Sequence, residues 1–177
     1  MLELIAAAAA LATAGPPDRR YEWRPLYRPL RIPAIAPGTP CPAAPPRGRL
    51  AGSGMRSSAF GPGPAYPTLA IRSGRAGIGL VWPPDDPARP GWTGTKVLWW
   101  VPRYDGAVLI RGRQLDGPNA VGFDLGPRWT RTVLRELRLV GPTYDLRPAA
   151  TFFQAPGCYA YQVDTLRSSY RIVFVAY

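Results

Sequence analysis

The residues of this chain that could do chemistry are eleven carboxylates, two cysteines and six tryptophans, and histidine is absent. The missing histidine removes Ser-His-Asp and Cys-His nucleophiles and every His-ligated zinc site. Two cysteines are too few for a Cys-rich metal site. Carboxylate chemistry remains, and a glycosidase-type site needs two carboxyl groups facing each other across a substrate. Past residue 14 the carboxylates are Asp18, Glu22, Asp85, Asp86, Asp105, Asp116, Asp124, Glu136, Asp145 and Asp164. Most sit in turn contexts, where aspartate caps backbone groups. Asp85-Asp86 is the one adjacent pair and could offer oxygens to calcium, but no Asp-x-Asp-x-Asp pattern surrounds it. The segment GPGPAYP (residues 61–67) lacks the Gly-Lys-Ser/Thr end of a phosphate loop. The sequence thus predicts no catalytic residue, no metal and no cofactor, and leaves a carboxylate-based hydrolase as the one enzymatic alternative.

The cysteines read with the N-terminus. Residues 1–14, MLELIAAAAALATA, are apolar and end on Ala12-Thr13-Ala14, a small-x-small site for cleavage before Gly15. The run is too short to span a bilayer. Glu3 stands where a signal peptide carries Lys or Arg. The expectation is a weak signal peptide, a secreted or cell-surface location and no transmembrane segment in the mature chain; a buried N-terminal helix is the alternative. In an oxidising compartment Cys41 and Cys158 have only each other as partner. Such a bond closes a long loop, worth roughly 4–5 kcal/mol by the chain-entropy argument. Two buried free thiols are the other reading.

Aromatic and basic residues offer the candidate binding surface. In TKVLWWV, strand alternation sends Val97, Trp99 and Val101 to one face and Lys96, Leu98 and Trp100 to the other. One tryptophan is expected in the core; the other is either covered by the proline-rich leader or exposed, where an indole beside arginines suits stacking on a sugar or packing on a protein, with Trp100 as the candidate. Along 107–115, Val108 and Ile110 point inward, and Arg111 and Arg113 outward. With Lys96 and Arg103 on the neighbouring arm or its turn, these form the candidate basic patch. The formal charge is +11, but lysine occurs once and the arginines are scattered with no run of three. That pattern follows from a GC-rich coding bias, so no nucleic-acid partner is expected.

Positioning these residues requires strands. The 177 residues suffice for one domain with a core, and 46% of them are hydrophobic. Residues 15–67 are proline-rich, which forbids helix and favours extended chain; 15–37 read as a linker or stalk and 38–177 as a single domain. Beyond Thr68, short apolar runs alternate with turn signals. Strands are expected at 69–73, 78–82, 95–101, 107–115, 121–125, 134–140, 158–163 and 170–177, the 134–140 run being ambiguous with helix. Asp105-Gly106 is the strongest hairpin signal and pairs the 95–101 and 107–115 arms. Short strands at this spacing predict an all-β, immunoglobulin-like antiparallel β-sandwich.

The Cys41-Pro42 pair, GPGPAYP, the block KVLWWVPRYDGAVLIRGRQLDG and the ending PGCYAYQVD…IVF resemble a group of secreted bacterial proteins of high-GC Gram-positive type with no established activity. The resemblance covers roughly residues 40–177. It implies an immunoglobulin-like fold, export and a disulfide, and it carries no catalytic residues. The expected function is a non-catalytic extracytoplasmic module that binds a cell-surface protein or polysaccharide through a sheet face. A purely structural subunit of an envelope assembly is the alternative.

Overall fold

A computed structural model describes residues 22–49, 58–125, 132–140 and 146–177. The expected signal peptide lies outside these residues, as do Asp18, Trp129 and Asp145. Among the described residues eleven strands form, all in one sheet: β1 (Gly48–Arg49), β2 (Ser58–Ala59), β3 (Tyr66–Arg72), β4 (Arg75–Ile78), β5 (Thr93–Trp100), β6 (Ala107–Gln114), β7 (Gly122–Asp124), β8 (Leu137–Val140), β9 (Leu146–Phe153), β10 (Gly157–Thr165) and β11 (Ser169–Ala176). The ambiguous 134–140 run contains a strand and no helix among the described residues.

The chain is all-β, but it is not the expected immunoglobulin-like sandwich. Nine strands follow one path, β7-β9-β5-β3-β4-β11-β10-β6-β8, and the β4–β11 pairing is parallel. The path then nearly closes on itself. The chain preceding β7 returns to β6, with Val121 N–H donating to Gly112 O (3.0 Å) and Gln114 N–H to Asn119 O (2.7 Å). A bridge between Phe123 and Leu134 ties β7 to the segment entering β8. Alternation of buried and exposed residues is the same whether two sheets face each other or one sheet curls round, so the sequence pattern cannot separate them.

The expected hairpin at Asp105-Gly106 is also absent. β5 pairs with β9 along its whole length and with β3 at one end, whereas β6 pairs with β10 and β8. Residues 101–106 are a link between separate walls, and Arg103 within it adopts φ 52°. A turn dipeptide fixes the local reversal, not the partner of the strands it joins. β9 carries no alternation signal and contains Pro148. Proline fits there because β7 pairs only with Ala150–Phe152, leaving the β7 side of Pro148 without a ladder partner.

Aromatic side chains fill the interior. Trp99, Tyr159, Tyr161, Phe123, Phe153 and Phe174 are fully buried. Trp99 meets Tyr161 edge-on with centroids 5.2 Å apart, and Phe153 meets Tyr159 at 5.0 Å. These are the favoured aromatic geometries, each worth about 0.5–1.5 kcal/mol beyond area burial.

One strand is buried on both faces. Residues Cys158–Thr165 of β10 are all buried. Tyr159, Tyr161 and Val163 belong to the interior cluster, and by alternation Cys158, Ala160, Gln162 and Asp164 face outward. Their cover is the chain at 22–44, which crosses the outer surface of β6, β10 and β11. Leu26 and Trp23 sit against Ala107 and Leu109. Ile32 and Ile35 sit with Leu115, Cys158 and Ala160. The Cys41–Cys158 disulfide is formed. Ala44 then bridges β11 and β4: its N–H donates to Val173 O, and its carbonyl accepts from Ala76 N–H.

Two stability measurements test this arrangement. Trp99→Ala empties the interior and is expected to cost about 3–5 kcal/mol in urea unfolding, against under about 1.5 kcal/mol for Trp100→Ala on the outer face. Equal costs for the two would contradict the inward and outward assignment. Reducing the disulfide, which spans 117 positions, is expected to lower stability by roughly 4–5 kcal/mol; an unchanged urea midpoint would show that the crossing segment adds nothing.

Candidate functional site

The crossing segment covers one half of the barrel wall and leaves bare the outer face where β3 and β5 meet the Leu146–Pro148 end of β9; further along β9, Ala150 and Phe152 are buried. Lys96, Leu98 and Trp100 alternate along β5, opposite Ala150, Pro148 and Leu146 of β9. Lys96 and Pro148 are exposed; Leu98, Trp100 and Leu146 are half-buried. Trp100 does not stand alone. Tyr66 at the start of β3 pairs with it, ring centroids 5.4 Å apart and planes tilted 40°. The result is a two-ring aromatic platform flanked by an apolar strip and one ammonium.

The GPGPAYP segment builds this platform. Gly63 has φ +91°, and a Cβ there would run into the Tyr66 ring and hydroxyl. Glycine is required both by the left-handed backbone and by the close approach. The Gly63–Pro64 bond is cis. From the other side Tyr170 clamps the loop: its hydroxyl donates to Ala65 O (2.7 Å) and lies 3.2 Å from Ala65 N. Burial pushes the Tyr170 phenol well above its ordinary value of 10, against the opposing bond to Ala65. The same cause raises Tyr159 to about 12.

Beside the platform the wall has a seam. β3 leaves β5 after two residue pairs and turns to β4. Leu98 N–H donates to Thr68 Oγ1 (3.1 Å), so alternate residues Gly94 and Lys96 turn their backbone groups to the same side, where no ladder partner is present among the described residues. Thr93 Oγ1 donates to Val81 O (2.9 Å) at the far end. A hollow of about 520 Å³ opens here, lined by Gly79, Leu80, Val81, Gly94, Thr95 and Tyr177. Val81 is 67% exposed.

The structure separates the residues grouped from the sequence. Trp100 and Lys96 share the bare face. Arg103 is exposed in the 101–106 link. Arg111 and Arg113 lie on β6, which does not neighbour β5. Arg111 is engaged: its Nη2 donates to Asp164 Oδ2 (2.8 Å) and to Arg28 O (2.6 Å). Arg113 Nε donates to Gln114 O (3.2 Å). The five cations and aromatics therefore do not make one patch. Tyr66 is the site residue the sequence reading passed over; its signal was a lone aromatic at the end of a Gly-Pro loop opening a strand.

Asp86, Asp116 and Asp164 are engaged within the fold. Asp86 Oδ2 accepts from Arg89 Nη1 (2.6 Å), and its other oxygen accepts from Ala88 N–H (2.8 Å). These bonds, the arginine first, hold its carboxyl below the usual aspartate value. Both oxygens of Asp116 lie within 3.1 Å of Cys158 N. Asp164 is fully buried beneath Arg28 and Arg111. Among the described residues no three of His, Cys, Asp and Glu cluster as a metal site, and no helix is long and apolar enough to cross a membrane. No protein-family model, curated protein or solved structure matches this chain.

The tyrosines give a pH prediction. Tyr159 and Tyr170 have folded-state values above the unfolded value of about 10. Their contribution to stability is complete below pH 10 and is lost as pH rises towards and through 12. A phenolate absorbance titration is expected to show these groups silent until the protein unfolds. Smooth titration of all nine tyrosines near pH 10 with the fold intact would contradict their burial.

Proposed function

We propose that this protein is a non-catalytic extracytoplasmic binding module, and that the bare β3–β5–β9 face receives a cell-surface protein or a polysaccharide. The observation that carries the reading is the Tyr66–Trp100 pair. Two large rings are held half-exposed by a loop with a left-handed glycine and a half-buried tyrosine clamp. Tyrosine and tryptophan give large contact area at low entropic cost, so a rigid, half-exposed pair suits recognition better than core filling. Lys96 and the seam-facing groups of Gly94 and Lys96 offer polar contacts beside an apolar ring surface, the combination binding sites use.

The Cys41–Cys158 bond supports an oxidising compartment, because structural disulfides persist there and are rare in reducing ones. That accords with the leader sequence and with the resemblance to secreted bacterial proteins. Binding is stacking and packing on a preformed surface, with no bond made or broken.

The test is a panel of cell-wall polysaccharides and envelope proteins presented to the full chain, beside Trp100→Ala and Tyr66→Ala. At least one partner is expected to bind wild type and to lose about tenfold or more in affinity with either variant, equivalent to about 1.4 kcal/mol. A partner whose affinity neither variant changes would move the site elsewhere on the molecule. Absence of binding across the panel would favour a purely structural role.

A further inference from the structure

The segment that crosses β10 is bound in the manner of a ligand. Its buried positions are Leu26 and Ile32, with Trp23 and Ile35 half-buried; all four are separated by multiples of three residues. Trp23 and Leu26 are brought to one side by a short 3-10 turn at Arg24–Leu26, in which Leu26 N–H donates to Trp23 O (2.9 Å). Arg28 N–H still donates within the segment, to Leu26 O (2.8 Å), and beyond it the backbone from Arg28 O to Ile35 N–H bonds to the barrel. Arg111 Nη2 donates to Arg28 O (2.6 Å), and Gln162 Nε2 donates to Pro29 O (3.1 Å). Gln162 Oε1 accepts from Arg31 N–H (2.7 Å), and Leu115 O accepts from Ile35 N–H (2.8 Å). Arg171 Nη1 donates to Arg31 O (3.1 Å). These bonds read the main chain of the segment; its Arg28 side chain adds bonds to Ser168 O (2.5 Å) and Leu166 O (3.1 Å).

The donors are set from beneath. Asp164, fully buried, accepts from Arg111 Nη2 (2.8 Å) and from Gln162 Nε2 (3.0 Å). Ser169 Oγ donates to its other oxygen (2.6 Å). A carboxylate that orients two side chains towards a passing backbone is the preorganisation expected of a receptor.

We infer that the outer face of β6, β10 and β11 is a receptor for a proline-bearing peptide with apolar residues six positions apart, filled in this chain by its own residues 22–36 and held filled by the Cys41–Cys158 bond. The occupant in the structure is residues 22–36, seated in cis. A second segment of the same pattern competes for the same row of donors, and the disulfide sets the outcome by keeping the cis segment at high effective concentration. This surface lies on the half of the wall opposite the Tyr66–Trp100 face, and the inference stands whether or not that face binds a partner.

The test uses the full chain and a fluorescein-labelled synthetic peptide of residues 22–36. Two opened variants are made: Cys41→Ser, and Leu26→Ser with Ile32→Ser, which leaves the disulfide intact should loss of the bond prevent folding. Hydrogen exchange at the Arg31 and Ile35 amides reports whether the cis segment has left. Fluorescence anisotropy is expected to show binding to an opened variant at least tenfold tighter than to wild type. Adding Gln162→Ala is expected to weaken it tenfold, and a peptide with Asp at positions 26 and 32 is expected not to bind. A folded variant with freely exchanging Arg31 and Ile35 amides and no peptide binding would overturn the inference. So would protection of those amides persisting in both variants, since the occupant would then not be displaceable.

Discussion

The double burial of β10 is the constraint on which the rest of this structure depends. A strand in a curled sheet ordinarily shows one face to water. Here the outward residues Cys158, Ala160, Gln162 and Asp164 are all buried, Gln162 polar and Asp164 charged. An uncovered strand could leave these groups hydrated; a covered one must satisfy each of them. The covering chain does so with its own carbonyls and amides, with Arg28 over Asp164, and with a covalent bond at Cys158. An isolated buried carboxylate would be costly, but Asp164 has two arginines, a serine hydroxyl and an amide.

That constraint divides the surface. Once residues 22–44 are committed to β6, β10 and β11, the opposite wall is left to other parts of the chain. At one end the 85–92 loop closes over β9, where Arg89 stacks on Phe152 at 4.8 Å from the ring centroid. The other end keeps the Tyr66–Trp100 platform, the Leu98–Pro148 strip and the seam beside β5. The proposed binding face is thus the part of a nearly closed wall that no other segment of the described chain occupies.

The two halves were unequally legible in the sequence. The disulfide, the inward and outward split of Trp99 and Trp100, and the strand content are all local or combinatorial facts, readable from two cysteines and a period of two. The curled sheet was not legible, because β9 hides behind Pro148 and Ala149-Ala150, and without β9 the arm at β5 has no partner but β6. The Asp105-Gly106 signal then points to a hairpin that long-range pairing overrides. The predicted basic patch fell with it: Lys96 and Arg111 lie on strands whose neighbours differ. Arg111 reads as a surface charge until Asp164, 53 positions away, comes beneath it. Tyr66 becomes a site residue only once β3 is seen to start beside the end of β5.

Hydroxyl-radical footprinting of the full oxidised chain tests this division of the surface most directly, since it reads both halves in one experiment. The account predicts that Trp100 and Tyr66 are modified, while Trp99, Leu26 and Ile32 are protected to the level of the interior aromatics. Protection of Trp100 equal to that of Trp99, or modification of Leu26 and Ile32 equal to that of the exposed Val81, would contradict it.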